Sequence, residues 1–245
     1  MKTRISLLLA TALLAAGSCT KRPVQPRFGI AATDTLVSRN GIACKIEYRF
    51  ASILNAGKSP ALTAIEQANI GYFFDLEAFS GTVREAAAAA IGQFAEIYLA
   101  DSLPTGSGNA EYEISAESEG AVVDTLVVYT ITQSSYTGGA HGMYSRENYV
   151  YSLDGGSDIT LADLFTEAQL ESLGRLIRRK LYEQYDVRDD EGLVAAGFCP
   201  EYIAPTENFL VTPESIVFCY NPYEIGCYAL GSVEVEVTRE ELAGL

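Results

Sequence analysis

The chain has 245 residues, with 32 acidic against 17 basic side chains and a single histidine, for a formal charge of −15. That balance argues against a nucleic-acid ligand, whose phosphates need cations opposite them. A hydrophobic content of 48% with 10% aromatics supplies a sizeable core, as one large domain or two small ones, and does not fit a disordered chain.

Lys2 and Arg4 precede an apolar run from Ile5 to Ala16. About a dozen residues is too short to cross a bilayer as a helix, so residues 1–18 read as a secretion signal. The run closes on Ala16-Gly17-Ser18-Cys19, small residues before a cysteine, which resembles a bacterial lipobox. Cleavage before Cys19 and acylation of its thiol are expected. Each buried CH₂ contributes roughly 0.8 kcal/mol, so several acyl chains on one residue anchor stably. Loss of residues 1–18 removes two basic residues and no acid, leaving 15 basic against 32 acidic side chains, a charge of −17. Such a surface disfavours anionic lipid faces and suits a basic partner. Thr20-Lys21-Arg22 carries no acidic run, which points to a periplasm-facing outer-membrane anchor in the cell envelope.

Residues 19–31, with Pro23, Pro26 and little periodicity, read as a tether. Ile42, Cys44, Ile46, Tyr48 and Phe50 then alternate with more polar residues, the period of a half-buried strand, and Asp34–Val37 is an earlier strand that pairs with it. Ser59-Pro60 starts a helix with Leu62, Ile65, Ala68 and Phe73 at helical spacing. Thr82–Ala100 fits a second, with Ala86, Ala87, Ala90, Phe94, Ile97 and Tyr98 on its apolar side. Leu103–Asn109 reads as an exposed loop. Tyr112–Ala116 and Val122–Gln133 form a predicted hairpin, joined by a turn at Glu117-Ser-Glu-Gly120.

Tyr136-Thr-Gly-Gly-Ala-His-Gly-Met-Tyr144 follows as a glycine-rich connection, with Gly138, Gly139 and Gly142 around His141. Tyr149, Tyr151 and Leu153 restart a strand that ends at Asp154-Gly155-Gly156. Thr160 caps a short helical turn, and Thr166 starts a longer helix with Leu170, Leu173, Leu176, Ile177 and Leu181 inward. Asp186, Asp189, Asp190 and Glu191 read as a solvated acidic loop, not an EF-hand, whose fixed glycine and glutamate are missing. Asn208–Thr212 and Ser215–Tyr220 form a hairpin, and Val233, Val235 and Val237 a final strand. The fold class is α+β, antiparallel sheets packed with about three main helices. Subdomains are expected over 32–135 and 136–245.

Among candidate site residues, Cys199, Cys219 and Cys227 lie close in sequence, and one bridge among them, or burial as small apolar residues, is expected. His141 is either a ligand-contacting or proton-transferring group, or a residue that shapes its loop. Ser134 and Ser135 lie nearby, but no nucleophile elbow surrounds them. One histidine without HExxH spacing offers no metal centre, and neither Walker nor dinucleotide spacing is present, so no metal, cofactor or catalytic residue is assigned. In Asn221-Pro-Tyr-Glu-Ile-Gly-Cys-Tyr228, proline and glycine make a turn that either aims Tyr223, Glu224 and Tyr228 at a ligand or packs as a corner.

Three segments in order, Tyr136–Gly142, the strand into Asp154-Gly155-Gly156 with Ile159–Phe165, and Phe218–Gly231, together resemble one family. It is the bacterial extracytoplasmic domain of unknown function found in RsiV-type anti-sigma factors and PdaC-type peptidoglycan deacetylases. The resemblance covers roughly residues 33–245. It implies an α+β fold and, for the anti-sigma members, recognition of lysozyme. With no sigma-binding segment before the domain and no deacetylase after it, the chain is expected to be the outer module on a lipid anchor. The reading is a non-catalytic binding module for a basic, lysozyme-like protein. Its binding residues are Tyr136, Gly138, Gly139, His141, Tyr144, Tyr223, Glu224 and Tyr228. The alternatives are a peptidoglycan- or glycan-binding accessory module and a cell-wall hydrolase. Cys19→Ser is expected to move the protein from the detergent-extracted membrane fraction to the soluble fraction; retention in the membrane would rule out the lipid anchor.

Overall fold

The computed structural model describes residues 22–100 and 110–245. The signal segment, Cys19 and the loop expected over residues 103–109 lie outside the described residues. Eight strands form two sheets. The first has order β1-β2-β3-β4-β5, from Phe28–Arg39, Ile42–Ile53, Ala110–Val123, Leu126–Tyr136 and Met143–Ser152. The second has order β6-β7-β8, from Phe209–Val211, Ser215–Tyr220 and Val233–Thr238. The helices are α1 (Pro60–Phe74), α2 (Val83–Tyr98), α3 (Leu161–Leu164), α4 (Glu167–Gln184), α5 (Asp190–Ala195) and α6 (Arg239–Leu242). The fold is α+β, as the mixture of patterns requires. Pairing is antiparallel except between β2 and β3, which α1 and α2 join as a crossover. No helix among the described residues is long and apolar enough to cross a membrane.

The first strand is longer than expected and starts inside the predicted tether. Asn40 and Gly41 both take positive φ, 53° and 82°, the backbone of a tight hairpin turn whose twist matches its strands. That turn registers β1 against β2 along its whole length, from Phe28↔Ile53 to Arg39↔Ile42. In β2, Ile42, Cys44, Ile46, Tyr48 and Phe50 are buried, as period two demands. Lys45, Glu47 and Arg49 point to the other face.

Helices α1 and α2 cover the first of these faces. Pro60 opens α1, and Thr82 with Glu85 forms a capping box on α2. Leu62, Ile65 and Phe73 of α1 pack with Phe50, Tyr129 and Tyr151 of the sheet. Within this core Glu66 accepts from the Ser52 hydroxyl at 2.6 Å and from the Ile53 amide at 2.7 Å. Burial pushes its carboxyl above the ordinary value, so the two bonds pin α1 to β2 at an electrostatic cost.

The predicted turn at Glu117–Gly120 is strand. Its reversal sits instead after Val123, with Asp124 at φ 54°. The alternation continues through that polar run because Ser118 is its buried position. The Ser118 hydroxyl bonds Tyr129 Oη at 2.7 Å and accepts from the Ala51 amide at 2.8 Å.

Helix α4 packs Leu173, Leu176, Ile177 and Leu181 with Phe209 and Phe218 of the second sheet, and Val128 and Val150 of the first sheet join this core from their other face. The expected division at residues 135 and 136 therefore falls inside one sheet, at the end of β4; the two sheets part only after β5. The acidic run read as a solvated loop is organised too. Asp189 caps α5 through the Gly192 amide, and Asp190 takes Arg178 and Tyr182 at 2.6 Å each, fastening α5 to α4.

Cys199, Cys219 and Cys227 stand as free thiols, as does Cys44. Phe198 bridges Gly226, so Cys199 lies opposite Ile225 and Cys227 opposite Gly197. Such diagonal neighbours sit about 7–8 Å apart at Cα, beyond the usual reach of a disulfide. Cys219 is buried on β7.

The Asp154-Gly155-Gly156 motif is explained by packing. Gly156 has φ +73°, and a Cβ there would stand 2.6 Å from the Ala61 carbonyl oxygen, so only glycine lets this loop seat on the first turn of α1. Gly156→Ala is expected to lower stability by about 3 kcal/mol, from left-handed strain plus overpacking, read as a lower urea midpoint with unchanged slope. An unchanged midpoint would contradict this packing.

Candidate functional site: a tyrosine platform on an acidic sheet face

The β4–β5 connection, residues 137–142, is built by its glycines. Gly138 and Gly139 both have φ +94°, and a Cβ on Gly142 would meet the Ser135 carbonyl oxygen at 2.7 Å. The Tyr136 hydroxyl closes the loop on the Gly139 carbonyl at 3.2 Å. His141 Nδ1 lies 2.9 Å from the Gly142 carbonyl. A carbonyl only accepts, so Nδ1 carries the hydrogen. His141 is exposed and makes no bond to Ser134 or Ser135.

The corner that follows β7 reaches this loop from far away in sequence. The Tyr228 hydroxyl donates to the same Gly142 carbonyl at 2.8 Å, and its ring stacks on His141 with centroids 4.1 Å apart at 23°. Tyr144 meets Tyr228 edge-on at 6.0 Å, and Tyr223 lies 5.4 Å from it. The predicted residues of the two segments therefore form one surface. Tyr223 is 55% exposed with φ +75°, in a turn closed from the Glu224 amide to the Asn221 carbonyl at 3.1 Å. Glycine is usual at that position, and a tyrosine there costs about 1–3 kcal/mol of strain. Glu224 is less free than expected, since one carboxylate oxygen accepts from the Asn221 amide at 2.9 Å.

Asn221 is the hinge of this corner. Its Oδ1 accepts from the Arg146 amide at 2.8 Å, and its Nδ2 donates to Glu147 Oε1 at 2.8 Å. Asn208 acts alike one step along β5, where its Oδ1 accepts from the Asn148 amide at 2.9 Å and its Nδ2 donates to the Arg146 carbonyl at 2.7 Å. Neither asparagine was nominated from sequence, because nothing in their neighbours announces a partner on β5.

The open face of the first sheet continues from the platform and is acidic. Glu111, Glu113, Glu117 and Glu119 occupy alternate exposed positions of β3 around Ser115. Across the neighbouring strands, Arg49 is held by Asp34 at 2.7 Å, Lys45 by Glu47 at 3.2 Å and Arg146 by Glu234 at 2.8 Å. The nearby cations are thus engaged, and the β3 glutamates have no ion-pair partner among the described residues. A cleft of about 340 Å³ joins platform to stripe, bounded by Glu47, Glu113, Ser115, Ser134, Tyr144 and Tyr228. The stripe was legible as alternation, but reading Glu117–Gly120 as a turn hid half of it. Among the described residues no three His, Cys, Asp or Glu side chains are grouped to hold a metal ion.

Burial, and then the charge of Glu224, push the Glu147 carboxyl up, while the Asn221 bond partly offsets them. The folded state thus holds this proton more tightly than the unfolded chain, where the ordinary value is 4.5. The stability gained is complete below that pH and is lost as pH rises through the elevated value. Glu147→Gln, which keeps the acceptor for Asn221, is expected to flatten the fall of melting temperature as pH rises above the ordinary value of 4.5. Parallel wild-type and variant curves would show that Glu147 does not titrate in this way.

Residues 162–240, from α3 to the start of α6, match the model of a family described as a protein of unknown function, DUF3298. The fold is shared with two crystal structures of DUF3298 family proteins. That from Bacteroides fragilis NCTC 9343 superposes with a TM-score of 0.78 at 24% identity, covering 90% of this chain and 93% of that one. That from Pseudomonas aeruginosa PAO1 gives 0.62 at 16% identity, covering 91% and 94%. No curated protein matches the sequence.

Proposed function

We propose that this protein is a non-catalytic binding module, lipid-anchored in the bacterial envelope, that holds a basic protein on the open face of its first sheet. One observation carries the reading. Two exposed tyrosine elements, 86 residues apart across the Tyr228–Gly142 bond, converge on a surface that runs into unpaired carboxylates. Tyrosine rings held by their own hydrogen bonds are low-entropy anchors, and a stripe of like charge steers an oppositely charged partner toward them. His141 serves as a rigid wall of the platform, since its ring is stacked on one side and bonded to backbone. The resemblance to the outer domains of lysozyme-sensing anti-sigma factors makes lysozyme the first partner to try.

Association of the full chain with lysozyme at low and moderate salt tests the reading. Binding is expected to weaken as salt rises. Glu113→Lys with Glu117→Lys is expected to slow association about tenfold, and Tyr223→Ala to speed dissociation with little change in association rate. No binding at either salt removes lysozyme as the partner. Binding that ignores both sets of substitutions removes this surface.

A further inference from the structure

A second cleft, of about 520 Å³, opens on the opposite, helix-covered side of the same sheet end, between α2 and strands β3 to β5. Its volume falls within the usual range of small-molecule sites. Tyr48, Phe73, Phe74 and Phe94 form its floor and are buried. Tyr98 stacks on Phe94 at 4.8 Å and 21° and stays 48% exposed, so the aromatic floor continues into a ring at the mouth. Ile97, which the helical periodicity assigns to the buried stripe, is instead 70% exposed beside it. An apolar side chain left bare next to an open aromatic cleft is an unmet contact.

The polar part of the lining narrows the ligand. Gln93 and Gln133 supply amides and Ser135 a hydroxyl. Gln133 Nε2 donates to the Phe73 carbonyl at 3.3 Å, and its Oε1 has no partner among the described residues. No lysine or arginine lines the cleft, and Asp75 is its one charged residue, which disfavours phosphates and carboxylates. A fatty chain would leave the amides and hydroxyl unpaired. An added peptide strand has no ladder to join, because β4 is hydrogen-bonded on both sides.

We infer that this cleft binds a neutral oligosaccharide of N-acetylated hexosamines. The apolar C–H face of a pyranose ring stacks on Tyr98 and the aromatic floor. The acetamido groups take the amides of Gln93 and Gln133, with their methyls against Ile97 and Ala90. This site needs no basic partner protein, and it meets the acidic-face cleft along a shared wall of Ile114, Ser115, Ser134, Ser135, Met143 and Tyr144, with Tyr144 the one platform tyrosine that lines it.

The full chain titrated calorimetrically with tetra-N-acetylchitotetraose tests it. Saturable binding is expected, about tenfold tighter than that of cellotetraose, which lacks the acetamides. Tyr98→Ala, at an exposed helix end, and Gln133→Leu are each expected to weaken it about tenfold while both variants stay fully folded at the titration temperature, as checked by their melting curves. Tyr223→Ala is expected to leave it unchanged. The proposal is overturned by absence of saturable binding, by equal affinity for cellotetraose, by indifference to both cleft substitutions, or by dodecanoate binding where the N-acetylated tetramer does not. Failure here would leave the lysozyme reading standing, and the reverse holds equally.

Discussion

The outer edge of β5 is where the two halves of this molecule are joined, and two asparagine side chains make the joint. Arg146 and Asn148 turn backbone groups away from β4, where no full strand waits for them. Asn208 and Asn221 supply those partners with side-chain amides, which have the donor and acceptor geometry of a peptide group. Both asparagines are buried. A buried backbone group left unpaired costs roughly 1–3 kcal/mol, so neither half is satisfied without the other.

The site follows from that joint. Fixing Asn221 against β5 fixes the turn that carries Tyr223 and sets the direction of the chain to Tyr228. Tyr228 then lands on the glycine-built loop at the head of β5, where its hydroxyl and ring are both used. The strain at Tyr223 is tolerated because the Asn221–Glu224 turn is held from both ends. Glycine would relax that backbone, but it would present no ring.

Charge and covering divide the labour between the two faces of the first sheet. Helices α1 and α2 cover one face, leaving an aromatic cleft where α2 runs out. On the other face, the second sheet covers only the end near Val128 and Val150, and the far end keeps its carboxylates in water. The two clefts meet along a wall from Ile114 and Ser115 through Ser134 and Ser135 to Met143 and Tyr144, so this end of the sheet borders a neutral amphipathic cleft on one side and an acidic one on the other.

Much of this was readable from residue order. The period of two in β2, the Ser59-Pro60 and Thr82 helix starts and the valines of β8 each depend on neighbours a few positions away, and local sterics and side-chain alternation suffice to place them. The Asn40-Gly41 turn and the glutamates of β3 belong to the same kind of information and were equally available. Gly156 beneath α1, Asn208 and Asn221 on β5, and Tyr228 over Gly142 are different. Each is a contact between segments far apart in the chain, and its energy exists only once the sheets have met. The Tyr136–Tyr144 and Tyr223–Tyr228 segments could therefore be marked separately from residue type and spacing, but their union into one surface rests on hydrogen bonds that no local pattern encodes.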